Sequence, residues 1–157
     1  MYREGPIEGV VVKSLHRHED HRGWLIELFR MDELDAGSHP VMAYASQTLP
    51  GMVRGPHEHR EQSDLLVFLG PGDFRVCLWD ARPTSATFLN RTTFLAGSRR
   101  WVSVIVPPGV VHGYKNVSEV PGLVFNCPNR LYAGVGRKEV VDEIRHEEDP
   151  QSPYRID

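Results

Sequence analysis

The chain has 157 residues, the size of one domain with one core, and its formal charge of −3 argues against nucleic acid or an anionic membrane as the main partner. Its two cysteines, Cys77 and Cys127, stand in apolar runs and read as buried thiols rather than a disulfide. No apolar run approaches the roughly 20 residues of a membrane span, and Met1–Pro6 has no signal-peptide core, so a cytoplasmic protein is expected.

Taken in order, Gly9–Ser14 is a β-branched run and the first expected strand. The polar stretch His16–Gly23 carries three histidines in no ligand-like spacing and reads as a solvated loop. Trp24–Phe29 reads as a strand with one charge, Glu27, which either faces out or meets a ligand. Met31–Ala36 suggests a helical turn, and Val41–Thr48 a strand. Gly51–Gly70 reads as a strand, a tight polar turn and a second strand. In Phe74–Trp79 the residues Phe74, Val76 and Leu78 alternate with Arg75, Cys77 and Trp79, a strand period. Thr87–Leu95, Trp101–Val106, Val110–Tyr114 and Gly122–Cys127 are further strands. Lys138–His146 reads as a short C-terminal helix with Val140, Val141 and Ile144 on one face, and Glu147–Asp157 as a surface tail. Short β-rich segments bounded by turn residues predict an all-β sandwich or barrel, one domain over 1–157.

Two segments concentrate the chemistry. In Gly51–Gly70, His57 and His59 sit two apart, so on an extended strand both rings point to one face. Arg54 precedes them and Asp64 follows, directly before the apolar run Leu65–Leu69. The second segment is Pro107–Asn116, with His112 near its middle. The first segment resembles the cupin signature G-x5-H-x-H-x(3,4)-E-x6-G, with Asp64 near the Glu position and Gly70 closing it one residue early. The second resembles P-x-G-x2-H-x3-N through Pro107, Gly109, His112 and Asn116. The resemblance implies a small jelly-roll barrel, a double-stranded β-helix, with a site in its mouth.

Within the cupins the chain resembles the dTDP-4-dehydrorhamnose 3,5-epimerase family from about Gly9 to Tyr132. Asp20-x-Arg22-Gly23-x3-Glu27-x-Phe29 is similar to its D-x-R-G-x-F-x-E-x-F, and Gly51–His57 to its G-V-L-R-G-L-H. Asp80-x-Arg82-x2-Ser85-x-Thr87-Phe88 and Pro108-Gly109-x2-His112-Gly113-Tyr114 are similar to two further segments. The resemblance implies proton removal beside the ketone of a nucleoside-diphosphate-linked 4-keto-6-deoxy sugar. A histidine suits the base, and His57 matches it. Tyr132 matches the acid that returns a proton on the other face. Arg22 and Arg54 match the diphosphate contacts, with Arg60 adding to them, since the guanidinium fork fits phosphate oxygens. Glu27, His59 and His112 complete the expected substrate wall. A homodimer is implied, with Arg22 able to reach a neighbour's site, and no cofactor.

Three positions depart from the family. Its enolate-supporting lysine is Asp64 here, which could instead orient His57. Its base-orienting C-terminal aspartate has no evident counterpart. An Asn of its N-x-S-x-S pattern is Tyr44, with Ser46 and Thr48 kept. His57-Glu58-His59 also resembles the H-x-H of the cupin sugar 3,4-ketoisomerases. Two alternatives follow. In one, His57, His59, Asp64 and His112 hold one divalent transition metal that polarises the ketone. In the other, the chain is a sugar-binding cupin without catalysis.

Overall fold

The computed structural model describes residues 1–157. Its strands are, in order, β1 (Arg3–Glu4), β2 (Val11–Ser14), β3 (Arg17–Asp20), β4 (Gly23–Ile26), β5 (Tyr44–Thr48), β6 (Val53–Glu58), β7 (Asp64–Gly70), β8 (Asp73–Asp80), β9 (Asn90–Gly97), β10 (Val102–Val106), β11 (Val110–Asn116), β12 (Gly122–Asn126) and β13 (Ile144–Arg145). One sheet runs β1-β9-β8-β11-β6-β13, a second β2-β10-β7-β12-β5, and β3 and β4 pair with each other. The two larger sheets face one another as a jelly roll, the all-β architecture that the segment pattern predicts.

Strand β8 shows how the sequence makes the layers. Phe74, Val76 and Leu78 point inward and are fully buried with Phe68, Val102, Val104, Val110 and Val124. The Phe68, Phe74 and Tyr114 rings meet at centroid distances of 5.4–5.5 Å. On the outer face of β8, Cys77 and Trp79 are equally buried, because the chain's end lies over them. Both cysteines are buried free thiols, as expected.

Five expectations are corrected. The end of the chain is not a free tail: Tyr154 packs its ring 5.6 Å from that of Trp79, and Tyr2 donates a hydrogen bond to its hydroxyl at 3.0 Å. Burying an aromatic of this size is worth about 1.5–3 kcal/mol, enough to oppose the cost of ordering the tail. The stretch His16–Gly23 is not a loop but most of the hairpin β3–β4, all of β3 being exposed. Strands β6 and β7 are not a hairpin; each belongs to a different sheet, and the polar turn carries the chain between them. Strand β9 begins only at Asn90, because Ser85 and Thr87 donate their hydroxyls to Asp80 at 2.6 Å each and hold that segment as a turn.

The fifth correction matters most for the site. Lys138–His146 forms no helix. A short 3-10 turn at Val135–Arg137 is followed by extended chain that pairs with β6 as β13. Val140 is fully exposed, so the apolar face that the helical spacing suggests is never buried. Sheet pairing decides the conformation instead. The resulting strap lies along the strand that carries His57.

Candidate active site

Strands β6 and β11 set His57 opposite His112, and the register then slips before Tyr114 meets Arg54. Such a bulge re-aims side chains next to a site. Two glycines make room for it. A Cβ on Gly55, which has φ +76°, would stand 2.7 Å from the His112 carbonyl oxygen, and one on Gly113 would stand 2.7 Å from that of Arg54.

His59 lies just past β6, Asp64 opens β7 and His112 sits within β11, so both sheets contribute to one hydrogen-bonded set. Asp64 is fully buried. Its Oδ2 accepts from His59 Nε2 and from His112 Nε2, each at 3.2 Å, and its Oδ1 accepts from Gln62 Nε2 at 2.8 Å. The second nitrogen of each ring faces a backbone oxygen: His59 Nδ1 that of Asp142, His112 Nδ1 that of Val110 at 3.0 Å. Burial opposes charge on His59, but its hydrogen bond to Asp64, the charge of Asp64 and the Asp142 carbonyl outweigh that, and the pKa is raised. Burial also opposes charge on Asp64, while the His112 and His59 hydrogen bonds hold it below the usual carboxylate range. Asp64 thus orients His59 and His112, not His57.

His57 differs from both. Its ring lies 4.4 Å from that of His112 and 5.4 Å from that of His59, yet neither nitrogen has a hydrogen-bond partner. Burial, then the charges of His112 and His59, push its pKa down to about 2. At neutral pH it is a neutral imidazole with a free lone pair.

Two adjoining hollows meet at Tyr44, His57 and Glu143. The first, about 310 Å³, reaches Arg60 and Tyr132; the second, about 500 Å³, reaches Arg54, His112 and Tyr114. The strap walls both. Its Asp142 carboxylate accepts the backbone N–H groups of Arg60, Glu61 and Gln62, each at 2.9 Å, and so pins the corner after His59. Four arginines line the hollows. Arg130 is paired with Glu61, and Arg145 with Glu143 and Glu148. Arg54 donates only to Thr48 Oγ1 and the Gln47 carbonyl, at 3.0 and 2.7 Å, and the Arg60 guanidinium has no carboxylate partner.

The expected site residues therefore divide. His57, His59, Asp64 and His112 converge, with Arg54, Arg60 and Tyr132 around them. Tyr132 is half exposed on its loop, and its side chain makes no hydrogen bond. Arg22 lies outside both hollows, exposed on the β3–β4 hairpin and paired with Asp20. Glu27 is exposed and paired with Arg30. Asp142, Glu143 and Asn126 escaped the sequence reading, since nothing in a charged C-terminal stretch announces that it folds back on β6.

A family model described as dTDP-4-dehydrorhamnose 3,5-epimerase matches residues 4–142. The chain belongs to this family. A protein of Haloferax volcanii described as a probable low-salt glycan biosynthesis epimerase is 35% identical over 127 residues, 80% of this chain and 81% of that one. The spore coat polysaccharide biosynthesis protein SpsL of Bacillus subtilis is 36% identical over 115 residues, 73% and 75% of the two chains. Among solved structures, a dTDP sugar isomerase from Desulfovibrio desulfuricans superposes with a TM-score of 0.81 at 23% identity, covering 95% of this chain and 91% of that one. The chain is thus a sugar epimerase by family, with the family's jelly roll.

The epimerase family works without a metal or other cofactor. The ligand atoms of His57, His59, Asp64 and His112 nevertheless lie within 4.8 Å of one another, and three imidazoles with one carboxylate fit a divalent transition metal by donor type. A metal bound there would supply Lewis-acid polarisation of a carbonyl.

Proposed function

We propose that this chain epimerises or isomerises a nucleoside-diphosphate-linked 4-keto-6-deoxy sugar by cofactor-free proton transfer. The observation that carries the reading is the partnerless, neutral His57 at the junction of two hollows, each offering one arginine without a carboxylate partner, Arg54 and Arg60. A diphosphate supplies the missing anion for those guanidiniums. The sugar then lies at the junction, with the carbon beside its ketone against His57.

In this reading His57 takes the carbon-bound proton onto its free ring nitrogen. The C–H electron pair moves into a new C=C bond, and the carbonyl pair moves onto oxygen as an enolate. A pKa depressed in the empty site keeps the base available at every physiological pH. The anionic substrate then raises the pKa toward the range where proton abstraction is efficient. Tyr132, across the first hollow, returns a proton to the opposite face. His59 and His112 form the wall, locked by Asp64. Arg22 acts from the hairpin of a second subunit in a homodimer, which accounts for its place outside the hollows of its own chain. The protein works in the cytoplasm as one domain.

The test is exchange in heavy water. Candidate 4-keto sugar nucleotides incubated with the enzyme should acquire deuterium beside the ketone, read by NMR. Exchange at one carbon marks a mono-epimerase or ketoisomerase, and exchange at two a 3,5-epimerase. Tight nucleotide binding with no exchange on any candidate would refute catalysis and leave a binding protein.

A further inference from the structure

Tyr44 is one of only three residues that line both hollows, and it shares that position with His57. It opens β5, and Asn126 on β12 is its direct cross-strand partner. The Asn126 Nδ2 donates to the Tyr44 hydroxyl oxygen at 2.8 Å. An amide N–H can only donate, so the phenol is an acceptor in that bond and keeps its own O–H hydrogen for another partner. No acceptor in the chain takes it. The phenol is therefore anchored through its oxygen, with an unused donor beside the presumed base, and it stands on a paired strand rather than on a loop. Burial, then the Asp64 charge, push its pKa up to about 12, so the proton stays on.

The chain offers no lysine at this place, and the carboxylate there, Asp64, is spent on His59 and His112. An enolate forming beside His57 thus needs another donor, because an oxyanion in a water-poor site is stabilised chiefly by preorganised hydrogen bonds. We infer that the Tyr44 hydroxyl is a catalytic donor, giving its hydrogen bond to the ketone oxygen of the substrate as that oxygen becomes an enolate. The inference rests on the epimerase reading above. The proton leaves carbon for His57, the electron pair ends on oxygen, and the Tyr44 hydrogen stays on the phenol throughout. A phenol serving an enolate in this way is known physical chemistry in ketosteroid isomerisation. Tyr132 keeps a separate task, since it lines only the first hollow and is half exposed.

The test is Tyr44→Phe, assayed on whichever 4-keto sugar nucleotide the wild type exchanges. The expected result is a fall in kcat of about 10²–10³-fold, the usual cost of one oxyanion donor. KM and the calorimetric affinity for the nucleoside diphosphate should change by less than about threefold, since phosphate contacts are untouched. Deuterium exchange beside the ketone must slow by the same factor as turnover, because enolate formation is the step affected. Exchange that survives while product is lost would make Tyr44 a reprotonating acid and overturn the inference. So would turnover within about threefold of wild type. If Tyr44→Phe does not fold, 3-fluorotyrosine at position 44 replaces it: a more acidic phenol of nearly the same shape should hold or raise kcat at neutral pH, and a marked fall there overturns the inference. A wild type that binds nucleoside diphosphate yet exchanges hydrogen with no candidate sugar overturns the epimerase reading, and this inference with it.

Discussion

Replacing Asp64 by Asn tests the electrostatics of the site without changing its shape. Asparagine keeps the volume and one acceptor oxygen but presents an amide N–H2 where Asp64 has a second acceptor. Three donors now end on that carboxylate: His59 Nε2, His112 Nε2 and Gln62 Nε2. At least one of them loses its partner, and the others lose charge assistance. Hydrogen bonds to a charged group are worth about 1.5–3 kcal/mol each, and breaking a buried ionic set costs about 3–5 kcal/mol. A loss of about 3–5 kcal/mol at pH 7 is therefore expected, a large part of the roughly 5–15 kcal/mol a domain possesses. The pH dependence gives the sharper check. His59 has a raised pKa in the folded state, so its contribution is complete below the unfolded value of about 6.5 and is lost as pH rises through the folded value. Asp64 has a lowered pKa and stays ionised throughout this range, so its own contribution is constant there. Removing Asp64 removes what raises the His59 pKa and leaves burial to oppose protonation. The gap between wild type and variant must widen as pH falls from about 8 to about 5.5. Denaturant midpoints with matched m-values at several pH values measure it. A gap below about 1 kcal/mol, or one that is flat with pH, refutes the reasoning.

Arg54→Ala should weaken nucleoside-diphosphate binding by about 10–100-fold in calorimetry, from the lost charge-assisted bonds; unchanged affinity rejects the phosphate role. Arg22→Ala and His57→Asn, each inactive alone, should regain activity in about a quarter of sites when mixed and allowed to exchange subunits, if Arg22 serves a partner's site. A monomer in solution, or no recovery on mixing, refutes the shared site. Metal analysis of untagged protein should find far less than one transition metal per chain, and a chelator should leave exchange activity intact; near-stoichiometric metal lost together with activity would move the chemistry to the His59–Asp64–His112 set.

The fold was legible because its signal is local. Phe74, Val76 and Leu78 alternate with residues of the other face, and such alternation is a property of a few neighbours. The convergence of His57, His59, Asp64 and His112 was legible for a different reason: motif spacing ties those residue types to strands at a barrel mouth. What stayed hidden depends on distant pairing. Nothing in Val140, Val141 and Ile144 says that the segment will lie extended on β6 rather than coil, since the same apolar spacing serves a helix. The Asp142 carboxylate finds the N–H groups of Arg60–Gln62 about 80 residues upstream, a closure that no local pattern encodes. Strands β6 and β7 look like a hairpin because the turn between them is polar, but Leu65–Phe68 are buried as part of the opposite sheet.

The exchange of a lysine for Asp64 looks hostile to an enolate, because a carboxylate beside a forming oxyanion repels it. That argument assumes a bare charge. In the fold both oxygens of Asp64 are occupied, by His59 and His112 on one side and Gln62 on the other, and none of its surface reaches the hollows. Its field is met at short range by two imidazoles, at least one of which it helps to hold protonated. The charge that His57 and the substrate experience from this set is therefore less negative than a lone carboxylate. This is consistent with a His57 pKa pushed down by the neighbouring histidines rather than up by Asp64. Such a set excludes repulsion without supplying the lysine's directed N–H bond. The missing donor must come from a group that reaches the hollows, and Tyr44 does so with an O–H that nothing else in the chain uses.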